Sequence, residues 1–386
     1  MKWGTQGYSD FVKKFPLFPS IRTLQEAVEH LKFEPGILTK VFDVIECQVP
    51  NMASHEIHCI IALDEMAIKP GETYDQGSKR FIGLCTFPGH TGMAKKALVI
   101  ALAGITTRWK YAVAYYLTNK TDFEAKLTDC NPTGNALKDI ISKIIVKAEN
   151  IGLKVAAVIS DMGSDNLSLW RAWNIGCHRN SEIRCSIPHP ARPQDRLYIM
   201  PDPVHVFKNI RSMLENQEII SLPQSIVESQ GLSHPFVEVK HIEELLRHEK
   251  KFEFKIANKL KECSLRVKNH FSTMKVSTAR SVICRRTAIG LNVYAKTTAN
   301  SKPLTTAFFI VLVQQHWFDL VTIRSSKLAL SKKNEDAYNK AIEHLQFTTH
   351  VFQHMKIGTK GHWKPVQTGL LMVVERLLLL QNYFLN

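Results

Sequence analysis

The sequence predicts an α/β protein whose mixed sheet gives way, past its middle, to a mostly helical segment. Three observations carry that expectation. β-rich apolar runs recur between residues 55 and 200, several of them apolar on both faces, as buried strands are. A single strongly periodic helix interrupts them. After about residue 216 strand signals nearly vanish while helical periodicity continues to about residue 350. With 386 residues, 45% hydrophobic and 22% charged, the chain can bury two or three cores, and its composition is that of a globular protein and not a disordered one.

The elements follow in chain order. Thr23-Leu24-Gln25-Glu26 reads as a capping box, with Leu24, Ala27, Val28 and Leu31 at helical spacing behind it. Pro35-Gly36 breaks the chain, and Ile37, Leu38, Val41, Phe42 and Ile45 predict a second helix. Ile57 to Leu63 predicts a strand ending in Asp64-Glu65-Met66, and Arg80 to Phe87 a short extra strand. Ala97 to Ala103 is apolar on both faces, as a central strand is, and Tyr111 to Leu117 predicts another. Leu137, Ile140, Ile141, Ile144, Ile145 and Ala148 form one helical face, stopped by Asn150-Ile151-Gly152. Val155 to Ser160 predicts a buried strand ending in Asp161, and Leu197 to Met200 a last short one; Asp202-Pro203 then opens a helix through Met213. Three strands, a helix, a strand, a helical region and a strand is the order of an RNase H-like sheet, although other α/β folds also accommodate it. Beyond a boundary near residue 216, helices are expected over 242–260, 277–294, 305–318 and 335–345, and a final one from Pro365.

Charge and cysteines narrow the functional classes. Lysine plus arginine exceed aspartate plus glutamate by 50 to 35, a net charge of +15, which favours polyanionic partners. None of the eight cysteines forms a CxxC pair, so spacing indicates no zinc ribbon, and reduced thiols are expected. No secretory h-region opens the chain, and the apolar stretch Gly369 to Leu385 is interrupted by Glu375, Arg376 and Gln381. An intracellular location is expected, nuclear if the partner is DNA, with no membrane association.

Two constellations could carry chemistry. Asp64 and Asp161 each follow an apolar strand, where carboxylates can converge at one sheet edge and offer hard oxygen ligands to Mg²⁺ or Mn²⁺. Strand-end aspartates also cap the turn or helix that follows, and this reading stays open. On the helix from Pro203, residues His205, Lys208 and Arg211 are spaced by three and predict a cationic stripe able to meet DNA phosphates; a polar outer face capped by Asp202 is the alternative.

Read together, Asp64-Glu65-Met66, Ala97 to Gly104 with Trp109-Lys110 and Ala114-Tyr115-Tyr116, Ser160-Asp161-Met162-Gly163-Ser164-Asp165-Asn166, and Asp202 to Arg211 come in the order seen in P-element-type transposases and their THAP-domain-containing relatives. Phe15 to Ser20, Arg22-Thr23-Leu24, Met274-Lys275-Val276 and Trp317-Phe318-Asp319 extend the likeness over nearly the whole chain. The resemblance implies an RNase H-like core (residues 55–215 here) behind an N-terminal helical region (1–54), a helical GTP-binding insertion (216–350), and a return to the core (351–386). It implies Mg²⁺-dependent cleavage and transfer of DNA strands at transposon ends, with Asp64 and Asp161 as catalytic metal ligands and a homo-oligomeric assembly. It further implies GTP as cofactor, with Phe318 stacking on the base, Asp319 accepting from guanine and Lys275 near the phosphates. A buried core position is the alternative for Phe318. No GxxxxGK[ST] loop occurs, so such a GTP site is not of the P-loop kind. The family's third carboxylate lies in a motif after the insertion. Glu375, set among Met372, Val373, Val374 and Leu377, does not match it, and the sequence stops at Tyr383-Phe384-Leu385-Asn386. A catalytically incomplete transposase core is thus expected, with a domesticated, cleavage-dead DNA- or GTP-binding protein as the alternative.

Overall fold

The computed structural model describes residues 4–29, 33–76, 79–119, 132–179, 181–216, 219–265, 275–323, 332 and 334–385. Leu31 and Met274 lie outside them. The fold is mixed α/β, with one mixed seven-stranded sheet and many helices, as the apolar runs anticipate. The chain divides into two compact units, Met1–Pro132 with Lys143–Lys154, and Thr133–Ser142 with Val155–Asn386.

In the first unit the strands are β1 (Gly36–Ile37), β2 (His58–Ala67), β3 (Thr73–Asp75), β4 (Arg80–Ile82), β5 (Lys96–Gly104) and β6 (Lys110–Thr118). β2 and β5 pair antiparallel from Cys59↔Gly104 to Ala67↔Lys96, and β5 pairs β6 with a bulge at Ile100/Ala101. β1 closes the far side against β6 through Gly36↔Tyr115 and Ile37↔Ala114. Ile37 therefore belongs to a strand and not to the expected helix, which begins two residues later as Thr39–Gln48. Backbone bonding to β6 overrides the local helical periodicity there. Arg80 does open a strand, but it pairs only with β3, in an exposed two-stranded ribbon apart from the main sheet. At the N-terminus a further helix, Gly4–Lys14, precedes Ile21–Glu29. The second of these is capped by Ser20, whose Oγ accepts from Thr23 N at 3.1 Å, so Thr23 lies inside the helix.

The helix Pro132–Asn150 buries the whole anticipated face, Leu137 through Ala148. It stops where expected: Gly152 has φ +93°, which only glycine adopts readily, and Leu153 N closes on Ala148 O at 3.1 Å.

The second unit carries β7 (Lys154–Ser160), β8 (Ser186–Pro188) and β9 (Arg196–Pro201), with β9 central: parallel to β7 and antiparallel to β8. A small second sheet orders β11 (Phe236–Val237), β10 (Ile220–Ser221) and β12 (Lys356–Ile357), where strand signals are nearly absent from the sequence. Two-residue strands leave no period to detect. A single core runs through this unit: Val206, Phe207 and Ile210 of the helix Pro203–Glu215 pack in the same cluster as Ile220, Ile242, Leu291, Phe309, Phe352 and Leu370. The boundary expected near residue 216 thus falls inside one packed body.

The expected helix over 242–260 ends at Glu249, whose carboxylate accepts from Ile256 N and Ala257 N, both at 3.0 Å, and folds the following chain back. The one expected over 277–294 is two helices, Val276–Val282 and Arg285–Thr297, divided at Cys284 in extended conformation. Pro303–Val321 is long and apolar enough to cross a membrane, and half of its apolar window is buried in the protein. Phe309, Ile310, Leu312 and Val313 there are all completely buried, as in a core helix. Cys59, Cys177 and Cys185 are buried free thiols.

Candidate carboxylate site and nucleotide pocket

Asp64 is the seventh of ten residues in β2. The strand does not end at it, because the ladder with β5 continues through Glu65↔Leu98 to Ala67↔Lys96. Backbone pairing is indifferent to a polar side chain on an open face, which is why a sequence-based strand end at Asp64 comes three residues early. Cys59, Ile61 and Leu63 point into the core and Asp64 to the opposite face, where it is exposed. Among the described residues its carboxylate takes part in no hydrogen bond or ion pair. Glu65 next to it is committed, bonded to Lys96 Nζ at 2.7 Å.

In the second unit, Asp161 directly follows β7 and is half-buried. Its Oδ1 accepts from Gly163 N at 2.8 Å and from Asn166 Nδ2 at 2.6 Å. The capping alternative is therefore realised, since this turn launches the helix Ser164–Ala172. Among the described residues only one oxygen is used, and the two donors hold the carboxylate in a fixed orientation. Asn166, buried at its base, belongs to the Ser160–Asn166 motif but drew no role from the sequence.

The cationic stripe does not form as expected. Asp202 caps the helix Pro203–Glu215, accepting from Val204 N at 3.0 Å, and its Oδ2 meets His205 Nδ1 at 2.5 Å. Burial alone would raise the Asp202 carboxyl, but the bonds from His205 and Val204 N and the charges of His205 and Lys208 bring it below its ordinary value. Arg211 is 2% exposed and paired with Glu215 at 2.5 Å, so its guanidinium faces the interior and cannot reach a DNA phosphate. Spacing of three put it on the polar face, whereas the core packed around Phe207 and Ile210 takes its long stem inward. Lys208 alone of the three is half-exposed and uncommitted to an acid among the described residues.

Phe318 ends a π-turn, Gln314–Phe318, that joins the helix Pro303–Val313 to Asp319–Val321. It is 2% exposed and stacked on Phe207, centroids 3.9 Å apart and planes 15° from parallel. A base cannot reach that ring, so the core alternative holds for Phe318, and the stacking role is corrected. Arg280, which the sequence did not single out, lies 5.2 Å from the Phe318 centroid and 3.4 Å from Asp319 Oδ1. Gln314 Nε2 donates to Asp319 Oδ2 at 3.2 Å. Burial raises the Asp319 carboxyl above its ordinary value, opposed by Arg280 and Gln314. Lys275 precedes Val276–Val282 and is exposed. Glu375 is half-buried on the helix Pro365–Leu385; Arg376 beside it is buried, over the Tyr198 ring and against Cys185.

The fold and its aspartate-bearing strands define a class: residues 33–174 match the sequence family described as TNP-like, RNase H N-terminal domain. Over 330 residues the chain is 24% identical to the Transposable element P transposase of Drosophila melanogaster, covering 85% of this chain and 38% of that protein. It thus spans about two fifths of the length of that relative. Among solved structures it is similar to the Drosophila P element transposase strand transfer complex, with a TM-score of 0.71 and 21% identity over 98% of this chain and 77% of that one. The chain is thus similar to a P element transposase in fold, and its residues 33–174 carry the match to the TNP-like, RNase H N-terminal domain.

Proposed function

We propose that the chain is a core portion of a DNA transposase of the kind that cleaves and transfers strands at transposon ends, with Asp64 and Asp161 as two of the carboxylate ligands for divalent metal and the third not among the residues matched here. The observation that carries this reading is the exposed Asp64 carboxylate on β2, uncommitted among the described residues and inside the stretch 33–174 that matches the TNP-like, RNase H N-terminal domain. Asp161 fits the same use. Its Oδ1 is anchored by two N–H donors, which leaves Oδ2 for a cation and fixes its direction beforehand. All-oxygen donors of this kind suit Mg²⁺ or Mn²⁺. When bound, the metal supplies activation of water and of a DNA 3′-hydroxyl for in-line attack on a phosphodiester. The chain's own residues orient the carboxylates and collect the DNA backbone, through the excess positive charge and half-exposed Lys208. His205, tied to Asp202, positions the start of its helix.

GTP belongs to this reading as a cofactor of the helical part. Asp319 would accept from guanine N1–H and N2–H, Lys275 would meet phosphate, and Arg280 would close over them from the buried Phe318 ring. Assembly of more than one copy on the paired ends, and action in the nucleus, complete the proposal.

Its test is Mg²⁺- or Mn²⁺-dependent cleavage of a nicked transposon-end duplex by wild type, Asp64→Asn and Asp161→Asn. Loss of cleavage in both variants with DNA binding retained supports it. Equal cleavage by all three refutes it. DNA binding without cleavage by wild type assigns the chain to a second reading, a cleavage-dead DNA- or GTP-binding protein.

A further inference from the structure

We propose that His234, Glu238 and His241 form a binding site for one zinc-class divalent cation, separate from the aspartates and from Asp319. A nitrogen of each imidazole and a carboxylate oxygen of Glu238 lie within 4.8 Å of one another. The three come from one stretch of chain: His234 precedes β11, Glu238 is the N-cap of the helix Val239–Glu249, and His241 lies in its first turn. The two rings face each other, with centroids 5.8 Å apart and planes 19° from parallel.

The hydrogen bonds around the rings determine which atoms are available. Thr305 Oγ1 donates to His234 O at 2.8 Å, which uses its single proton. Its 3.2 Å contact with His234 Nδ1 is then an N–H donated by the ring, and the lone pair resides on Nε2. That Nε2 is buried and has no hydrogen-bond partner among the described residues. His241 Nδ1 meets Thr306 Oγ1 at 2.8 Å, which leaves its Nε2 available as well. Thr305 and Thr306 are both fully buried in the first turn of Pro303–Val313, so they act as rigid supports that fix both imidazoles. The carboxylate of Glu238 takes part in no hydrogen bond or ion pair among the described residues, and its charge offsets the positive end of the helix it caps.

This arrangement is costly without a ligand, since a buried imidazole nitrogen with no partner is disfavoured. A cation satisfies it. Two imidazoles and one carboxylate are a borderline N₂O donor set, which selects zinc over magnesium, a cation that prefers all-oxygen shells. Bonds of about 2.0–2.2 Å draw ligand atoms together, and rotation of half-buried Glu238 can supply the adjustment. A bound ion would staple the start of Val239–Glu249 and β11 to the head of Pro303–Val313.

The test uses the full chain, stripped with chelator and titrated with Zn²⁺ or Co²⁺ in millimolar Mg²⁺, which occupies the all-oxygen site. One equivalent is expected to bind, with Co²⁺ visible bands free of thiolate charge transfer. The thermal midpoint is expected to rise by about 5 °C at saturation. His234→Gln and Glu238→Gln should each weaken binding at least tenfold and remove that rise. Glu238 is half-buried and on the surface side of the helix start, so its variant keeps the test open should a histidine variant fail to fold. The double variant Asp64→Asn/Asp161→Asn should keep the equivalent, which separates this proposal from the transposase reading. His350→Gln/His354→Gln removes a different imidazole pair, on Glu335–His354, and should change nothing. Retention of wild-type affinity in His234→Gln, loss in the His350/His354 variant, or a thiolate band would each overturn the assignment.

Discussion

Substitution at Asp161 and Gly163 separates a turn-forming role from a metal-binding role. In Asp161→Asn the amide oxygen can still accept from Gly163 N and Asn166 Nδ2, so the turn survives. Stability should fall by no more than about 1 kcal/mol, since asparagine and aspartate are near-equal in such capping positions and only the charge assistance is lost. Gly163→Ala does the reverse. A Cβ at residue 163 would stand 2.9 Å from Asp161 Oδ1, closer than real contacts allow. Gly163 sits at φ −64°, ψ 159°, open to alanine, so the backbone is unstrained and the carboxylate must swing away. Losing its two bonds costs about 1–2 kcal/mol, partly offset by the stiffer unfolded chain. The assay is thermal denaturation with and without Mn²⁺. Wild type at a hundredfold excess over the dissociation constant gains about 2.7 kcal/mol, or roughly 5 °C. Asp161→Asn should melt close to wild type without metal and lose the gain; Gly163→Ala should melt slightly lower and lose most of it. If Asp161→Asn keeps the full Mn²⁺ gain, the carboxylate only makes a turn and the reasoning fails.

Three further outcomes follow from the packing. Phe318→Ala should destabilise by about 3–5 kcal/mol in urea denaturation and Phe318→Leu by under about 1.5, because the ring is stacked in the core on Phe207. A base-stacking Phe318 would instead lose GTP affinity in the leucine variant with stability unchanged. Arg211→Met should cost about 1.5–3 kcal/mol in urea denaturation by removing its charged hydrogen bond to Glu215; salt-dependent DNA affinity should respond to Lys208→Ala and not to Arg211→Met. His316 is pushed down from 6.5 to about 4 by burial, then by His344 and Lys340. The unfolded chain therefore takes up this proton first, and stability should fall as pH drops from about 6.5 through about 4; His316→Gln should flatten that slope in melts across the range.

The candidate site was legible in proportion to how local its causes are. Asp161 could be found because the apolar run and its end are adjacent in sequence. The continuation of the strand past Asp64 was set by a partner some thirty-five residues away, and no window around Asp64 contains Val99. Phe318 shows the same limit from the other side. Its neighbours Trp317 and Asp319 fit a nucleotide pocket or a core equally well, and Phe207, more than a hundred residues earlier, decided between them. His234, Glu238 and His241 stand at a readable spacing, but their meaning depends on Thr305 and Thr306, some seventy residues later.

By itself the sequence determined the α/β class, the long strands, the helix ended by Gly152 and the basic character that favours a polyanionic partner. These are written in short-range periodicity and composition, which act through backbone hydrogen bonding and apolar burial along a single element. Tertiary structure alone decided which charged and aromatic side chains face solvent. Arg211 and Phe318 lie inside, and Asp64 outside, because the space around each is shaped by elements distant in the chain, and burial depends on that space and not on the residue's own neighbours.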